Sequence, residues 1–395
     1  MFFMNLHHVI FEALYEIKLT RRNLLFNMFV FFALLTTISF TFISFSESDK
    51  IEFGEFYLPW VVQALPSSIP FMTAYYYNFV QVLMVFFMVS NDLRRLRFTT
   101  ISALEARPQD NSDTIIGKFL GRVAIFSLVN VLIYSVMICY NLIYYPRVLN
   151  ISYYFFYGIT LNFPVLIYFL SLSILVSRFI NNQGISILFL LFFCVGTTIC
   201  GAGVMNNLFD PFARYIPNLF SDFVGHVQLT CFLLHQTIYL LMGICFLILS
   251  ILVYRRLPNN IHQVRSVLVF AMFPFILSVI FIAFYMGNFM RVERNKNEYR
   301  QFYFEYEHVL KNRVLSNEIR LRDLGKEGVA VESKMKIVNR NEEQIPVLLY
   351  LNPGLTVNGI KNGSVNLSFE RKGPDRKSTR LNSSHSDRSR MPSSA

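Results

Sequence analysis

Residues 91–122 read NDLRRLRFTTISALEARPQDNSDTIIGKFLGR, and they determine how the rest of the chain is arranged. One apolar run ends near Val89 and another begins at Val123, so both ends of this segment, the connector, meet the same membrane face. Cytoplasmic loops of membrane proteins accumulate Lys and Arg. The connector carries six such residues: Arg94, Arg95, Arg97, Arg107, Lys118 and Arg122. We therefore expect it on the cytoplasmic side.

The composition is that of a membrane protein. Of 395 residues, 54% are hydrophobic and 16% aromatic, whereas soluble domains are about 45–50% apolar. The net charge of +11 does not indicate nucleic acid binding, because most of the cations flank apolar runs rather than lining one soluble face. The five cysteines lie in apolar runs without metal-ligand spacing, and we expect no cofactor.

Seven apolar runs have about the 20 residues that a membrane-spanning helix needs. They cover residues 24–45, 69–89, 123–144, 153–175, 185–204, 230–254 and 267–290. We predict an all-α polytopic protein with a six-span domain over 23–264 and a seventh span over 265–291. Pro164 predicts a kink in the fourth span. Gly196, Gly201 and Gly203 predict close helix packing by the fifth.

The distribution of Lys and Arg predicts the topology of a multi-pass protein of the cytoplasmic membrane. Besides the connector, the side assigned to the cytoplasm carries Lys18, Arg21, Arg22, Arg178, Arg255, Arg256 and Arg265, and the short loops of the other side carry Lys50, Arg147 and Arg214. The N-terminus is then cytoplasmic, and everything after residue 291 is extracytoplasmic.

Residues 1–22 predict an amphipathic helix in the inner interface of the bilayer. Its apolar stripe is Leu6, Val9, Ile10, Ala13, Leu14 and Ile17, and its polar face carries Glu12, Glu16 and Lys18. A helix with this composition is too polar to span the membrane.

The connector contains four short features in order: Asp92 just after a span, an apolar and basic helix over 96–104, Ala106-Arg107-Pro108, and the re-entry Ile116-Gly117-Lys118-Phe119. This order resembles the second intracellular loop of type-2 ABC exporter permeases. An ordinary positively charged loop is the alternative. The aromatic, Pro-interrupted segment 206–229 predicts a partly re-entrant external hairpin, and the same family has one at that place.

The resemblance implies a separate ABC-type ATPase subunit as partner and a second permease half, either a second copy or a continuation of the chain. The connector residues expected to contact the ATPase are Arg94, Arg95, Arg97, Glu105 and Arg107. The sequence itself has no GxxxxGK[ST] phosphate loop, no nucleophile elbow and no HExxH motif. We therefore expect no enzymatic activity in this chain.

Polar residues within the predicted spans are candidates for a substrate pathway, since such groups usually face the bundle interior. They are Asn78, Gln81, Asn130, Asn162, His235 and Gln236. Interhelical hydrogen bonds, worth about 0.6 kcal/mol each, explain them equally well. The spans contain almost no charged residues, which argues against a proton-coupled carrier.

After the seventh span the composition becomes that of a soluble domain. Helical spacing predicts a stalk over 292–328, and alternating apolar residues predict the start of an incomplete extracytoplasmic β domain over 329–374, with a hairpin turn at Lys361-Asn362-Gly363. The stretch VLLYLNPGLTVNGIKNGSVNLSFER resembles the N-terminal β domain of gluzincin-type zinc aminopeptidases. An unrelated β-sandwich is the alternative.

Residues 375–395 resemble the in-frame translation of a sequencing adapter, because DRKSTRLNSSH and SRMPSSA occur in one frame. We expect this segment to be disordered and foreign, and the natural chain to continue the β domain.

Two functions follow from these observations. The first is the permease subunit of an ATP-driven exporter. The second is a membrane anchor for an extracytoplasmic gluzincin-type aminopeptidase whose catalytic part is not in this sequence.

Overall fold

A computed structural model describes residues 5–45, 66–98, 110–180, 182–201, 203–214, 216, 220–221, 225–226, 229–254, 261–309, 312–324, 329–339, 347–349, 351 and 355–370. The side chains of residues 92–98 are outside this description. The chain divides into two compact units, Met1–Asn288 and Phe289–Ala395.

Helices account for almost all of the described part of the first unit. They are α1 (Leu6–Arg21), α2 (Leu24–Phe45), α3 (Ile69–Phe98), α4 (Asn111–Tyr144), α5 (Ile151–Tyr157), α6 (Phe163–Phe179), α7 (Gln183–Cys200), α8 (Leu229–Val253) and α9 (Ile261–Glu305). A π-helical turn, Gly158–Asn162, joins α5 to α6. Among the described residues, seven helical segments are long and apolar enough to cross a membrane, which confirms the polytopic helical class.

The centre of the bundle is formed by α3 and by α5–α6 with their π turn. In both, 78% of the most apolar window is buried, far more than in any other span of the described chain. The rings of Phe86 and Phe169 join α3 to α6 at 5.6 Å between centroids. Helix α8 packs closely on α6, since a Cβ atom at Gly243 would lie only 2.9 Å from the Cα atom of Tyr168.

Both helices that flank the connector are longer than the spans predicted for them. Helix α3 continues to Phe98, and α4 already begins at Asn111. The predicted connector helix over 96–104 therefore begins inside α3, and its remaining residues lie outside the described part. We call the end of the bundle with Phe98 and Asn111 the connector end, and the end with Ile69 and Tyr144 the loop end.

Helix α1 runs parallel to the first turns of α4. The backbone N–H of Asn5 donates to Asp113 Oδ2 at 3.3 Å. Further along, Cβ atoms at Gly117 and Gly121 would lie 2.9 Å from the Val9 oxygen and 2.5 Å from the Ala13 oxygen. The two glycines, one helical turn apart, therefore let the backbones of α1 and α4 approach each other.

A buried ion pair completes this contact. Arg122 Nη2 lies 2.7 Å from Glu16 Oε1, and both side chains are only 5% exposed. This differs from the sequence prediction, which placed Glu16 on a polar outer face. The predicted apolar stripe also divides, because Val9 is buried while three of its residues remain exposed: Leu6, Ile10 and Leu14. Helix α1 is therefore rotated about its axis relative to the orientation predicted from its periodicity, because Glu16 faces its partner Arg122 on α4.

Residues 204–214, after α7, form a loop that is held inside the loop end of the bundle. Asp210 accepts the N–H groups of Phe212 at 3.1 Å and Arg214 at 2.6 Å. The Phe212 ring stacks on Phe79 of α3 at 4.4 Å. Burial raises the pKa of the Asp210 carboxyl, although these two N–H donors and the Arg214 charge oppose the change. The segment thus packs as part of the core. Further along the chain, Phe220–Ser221 (β1) pairs antiparallel with Gly225–His226 (β2).

The predicted packing role of the glycines in the fifth span is not supported at two of three positions. Nothing lies within 4 Å of a Cβ atom built at Gly196 or Gly203, and Gly203 has a φ of +78°. Gly203 therefore serves the turn into the 204–214 loop, where left-handed backbone favours glycine. Close approach occurs instead at Gly117, Gly121 and Gly243, for which the sequence analysis had predicted no packing role.

The second unit differs from the predicted helical stalk over 292–328. Helix α9 ends at Glu305, but Arg313–Asp323 is a strand (β3) rather than helix and pairs antiparallel with Val329–Val338 (β4). Strands Ile360–Asn362 (β5) and Val365–Leu367 (β6) confirm the predicted hairpin, with Gly363 at φ 61° in its turn. The described residues of 347–351 are not in a strand, and residues 371–395 lie outside the described part.

We predict that Gly121→Ala destabilises the protein by about 1–3 kcal/mol, because the new methyl group overlaps the α1 backbone. The thermal-unfolding midpoint of the purified protein should fall. Gly196→Ala is the matched control, since its methyl group meets no neighbour and alanine is the better helix former. Equal midpoints for the two variants would contradict the close contact between α1 and α4.

Candidate functional site

The residues expected to contact an ATPase lie at the border of the described structure. Arg94, Arg95 and Arg97 occupy the last turns of α3, where only the backbone is described, and Glu105 and Arg107 lie outside the described residues. Their role stays a prediction.

Three of the six predicted pathway residues come together in the interior of the bundle. Asn130 Nδ2 of α4 donates to Gln81 Oε1 of α3 at 2.9 Å. Asn162 Nδ2, at the end of the π turn, donates to Asn130 Oδ1 at 3.1 Å. Gln81 Nε2 donates to the backbone oxygen of Asn162 at 3.3 Å. These bonds join the three residues in a closed ring, the amide ring, near the middle of three spans, and one of the three bonds is made to the backbone of Asn162.

The π turn brings Asn162 into this ring. Pro164, just after it, has no N–H group and disfavours a regular α-helix at this place, and π turns accommodate one extra residue within a helix. Gly158 at the start of the turn permits contact with α4, since a Cβ atom there would lie 2.8 Å from Tyr134 Cε2. Where the sequence predicted a kink at Pro164, the structure has a π turn, and this turn positions a polar side chain.

The amide ring does not use all of its hydrogen-bonding capacity within the protein. Asn162 Oδ1 is buried and has no partner among the described residues. Asn78, one turn from Gln81 on α3, is fully buried, and neither its Oδ1 nor its Nδ2 has a described partner. An unsatisfied buried polar group costs about 1–3 kcal/mol, so such groups need a functional or structural explanation.

Three tyrosines and one asparagine place further polar groups between the amide ring and the loop end. Tyr77 precedes Gln81 by one turn on α3, and Tyr134 follows Asn130 by one turn on α4. The rings of Tyr134 and Tyr154 lie 5.9 Å apart, and Asn141 Nδ2 donates to the Tyr154 hydroxyl at 3.2 Å. We call the amide ring together with Tyr77, Tyr134, Asn141 and Tyr154 the polar column.

Sequence reasoning missed this second half of the column. It considered only amides and histidines in the spans and no tyrosines. The i, i+4 pairs Tyr77/Gln81 and Asn130/Tyr134 were available as a signal, because residues four apart lie on one face of a helix. Asn141 was visible as a polar residue in a span, but its partner Tyr154 could be recognised only in three dimensions.

The other predicted pathway residues, His235 and Gln236, do not join the column. His235 Nε2 lies 3.2 Å from the Asn207 carbonyl, and Gln236 Nε2 donates to the Pro211 carbonyl at 3.4 Å. Two hydroxyls bind further carbonyls of the same segment: Tyr239 to Leu208 and Tyr285 to Asn206, both at 2.7 Å. These four side chains hold the 204–214 loop in the bundle.

The polar column is chemically uncharged. Its members are amides and phenols, and no group of three His, Cys, Asp or Glu residues that could hold a metal ion occurs in the described part of the chain. The column can therefore donate and accept hydrogen bonds at several levels between the bundle centre and the loop end. It offers no carboxylate or imidazole for moving a proton between these levels.

Comparison with protein-family models gives no match. Comparison with curated proteins also gives no match.

We predict that Asn130→Ala lowers the free energy of unfolding by about 1–3 kcal/mol, because Gln81 loses a donor and Asn162 an acceptor. Equilibrium unfolding in bicelles measures the change. Ser135→Ala on the same helix is the control, since the Ser135 hydroxyl is exposed and donates to Val131 of its own helix, and surface changes stay within about 0.5 kcal/mol. Similar losses for both variants would argue against the amide ring.

Proposed function

We propose that the chain is the permease subunit of an ATP-driven ABC-type exporter of the bacterial cytoplasmic membrane. The polar column is the observation that carries this proposal. An apolar bundle that only anchors another domain gains nothing from buried amide groups such as those of Asn78, which have no hydrogen-bond partner in the described part of the chain, since each one weakens the fold. A pathway for a polar substrate needs such groups, because they replace hydrogen bonds that the substrate gives up on leaving water.

The chemistry of the column supports an external energy source. Transporters driven by protons place titratable groups in the middle of the membrane, whereas Gln81, Asn130 and Asn162 do not titrate. The energy for directed transport then comes from elsewhere. An ATPase in a separate chain fits this requirement, because the sequence has no phosphate-binding loop of its own.

The connector is the proposed point of attachment for that ATPase. It joins α3 and α4, the two helices that carry Gln81 and Asn130. A force applied to the connector therefore acts directly on two of the three members of the amide ring. Helix α1, fixed to α4 by Gly117, Gly121 and the Glu16–Arg122 ion pair, extends the same rigid base. A second permease half, from another copy or a longer chain, would complete the transporter.

We predict that reversing Glu105→Arg and Arg107→Glu together weakens binding of the ATPase, because the reversal keeps the net charge but inverts the pattern that the partner reads. Co-purification of the chain with its ATPase, followed by ATP hydrolysis of the complex, measures the effect. We expect loss of both.

The second unit supplies a matched control for this reversal. Glu318 and Arg320 have the same spacing and form an exposed ion pair at 2.9 Å. Reversing them, Glu318→Arg with Arg320→Glu, should leave the ATPase bound. Undiminished binding after the connector reversal would refute the proposed attachment, and a chain purified with an extracytoplasmic peptidase activity but no ATPase would favour the anchor function.

A further inference from the structure

The 204–214 loop contains all the residues other than glycine that have a positive φ in the described part of the chain. Met205, Asn206 and Asn207 follow one another with φ angles of 45°, 55° and 65°, and Ala213 has a φ of 51°. Left-handed backbone brings a Cβ atom too close to the following carbonyl oxygen. It therefore persists only where the surrounding contacts hold it. The loop is strained in its packed position.

The strain is least compensated at Met205. Asn206 and Asn207 belong to the residue type that tolerates left-handed backbone best after glycine, and Asn207 Oδ1 also accepts the backbone N–H of Gly203 at 2.7 Å. Met205 has no polar side chain for such a bond, and it is exposed. Packing of its side chain therefore does not offset the unfavourable backbone conformation.

Three successive carbonyl groups of this left-handed turn are held by side chains from two helices. The carbonyl oxygens of residues 206–208 are contacted in order by Tyr285, His235 and Tyr239, at 2.7, 3.2 and 2.7 Å. His235 and Tyr239 belong to α8, the helix that follows the loop in the chain. Tyr285 belongs to α9, so one of these contacts depends on the position of the seventh span.

Helix α9 contacts the rest of the first unit along one narrow stripe. Its buried residues in the described part of the chain are spaced by three, four or seven positions, and they are Val267, Ala271, Pro274, Ser278 and Tyr285. The Ser278 hydroxyl lies 3.4 Å from the sulfur of Met242 in α8, and the Tyr285 ring lies 5.8 Å from the His235 ring. The stripe thus runs along α8 and ends at the 204–214 loop.

We propose that Tyr285 is a latch by which α9 holds the strained 204–214 loop in the bundle. While the Tyr285 hydroxyl binds the Asn206 carbonyl, the left-handed turn is retained and Phe212 stays against Phe79. Loss of this bond through a displacement of α9 lets the turn relax and the loop leave the bundle. The latch gives the seventh span a role in the first unit, and it is independent of what the bundle transports.

A simpler interpretation is that α8 and the loop's own bonds hold the segment and that Tyr285 only fills space. Asp210 fixes the later part of the loop through two backbone N–H groups, and α8 binds the carbonyls of residues 207–208. Neither set of bonds is made at Asn206, the neighbour of Met205. Tyr285 binds at that residue, next to the position where the strain is greatest.

Hydrogen exchange of the full chain in detergent micelles tests the latch, because the exchange of a protected amide reports the free energy of local opening. Tyr285→Phe keeps the ring and removes the hydroxyl. We expect amides of the 204–214 loop to exchange about fivefold faster, the factor that corresponds to one hydrogen bond. Amides in the middle of α3 and α6 should keep their rates.

Met205→Gly changes the strain instead of the latch. Glycine adopts a positive φ without a Cβ clash, so the packed position of the loop becomes more favourable and its amides should exchange more slowly. Combined with Tyr285→Phe, this substitution should bring the exchange of the loop back towards the rate of the unmodified protein. Faster exchange in Met205→Gly alone would show that the turn is not strained and would overturn the proposal.

Tyr154→Phe is the matched control for the latch. It removes the hydroxyl of another buried tyrosine, which donates to the Met137 carbonyl at 3.3 Å, and it should leave exchange in the 204–214 loop unchanged. Unaltered loop exchange in Tyr285→Phe would refute the latch. An equal acceleration in the loop, α3 and α6 would also refute it, because Tyr285 would then stabilise the fold as a whole.

Discussion

A polar atom inside an apolar bundle has no water to bind, so its burial costs free energy unless another group of the protein forms a hydrogen bond with it. This constraint shapes the first unit at three places. The 204–214 loop brings backbone carbonyls into the loop end, and four side chains from α8 and α9 bind them. The Glu16 carboxylate is buried against Arg122. The side-chain amides of Gln81 and Asn130 bind each other, and both bind Asn162, Gln81 through its backbone oxygen. In each case the polar groups determine which faces of the helices meet.

Helix α4 connects these requirements along one axis. It is a single helix of 34 residues, about 51 Å long at a rise of about 1.5 Å per residue. Its first turns hold α1 through Gly117, Gly121 and Arg122, its middle carries Asn130, and its last turns carry Asn141. The contacts with α1, the amide ring and the Tyr134 ring are therefore joined by one continuous helix, without a chain of intervening side-chain contacts.

Much of this architecture could be predicted from the sequence, because a bilayer requires about 20 apolar residues per span and such runs are easy to recognise. The first span agrees residue for residue with α2. The predictions were wrong where a contact with a residue distant in sequence determines burial or secondary structure. Glu16 is buried because Arg122 neutralises it, and Arg313–Asp323 is a strand because β4 pairs with it. Periodicity within one segment contains neither fact, since each depends on a tertiary contact that overrides local preference.

The candidate site shows the same limit, and it also shows where a change of conformation would act. Gln81 and Asn130 lie on rigid helices, but Asn162 is the last residue of a π turn. If the turn returned to α-helical hydrogen bonding, the register would shift by one residue and Asn162 would rotate by about 100° around the helix axis. The hydrogen bonds that join Asn162 to Gln81 and Asn130 would then be lost, and the buried donors and acceptors would be left without these partners. The position of Asn162 therefore depends on Gly158, which fits against Tyr134 of α4, and on Pro164 just beyond the turn.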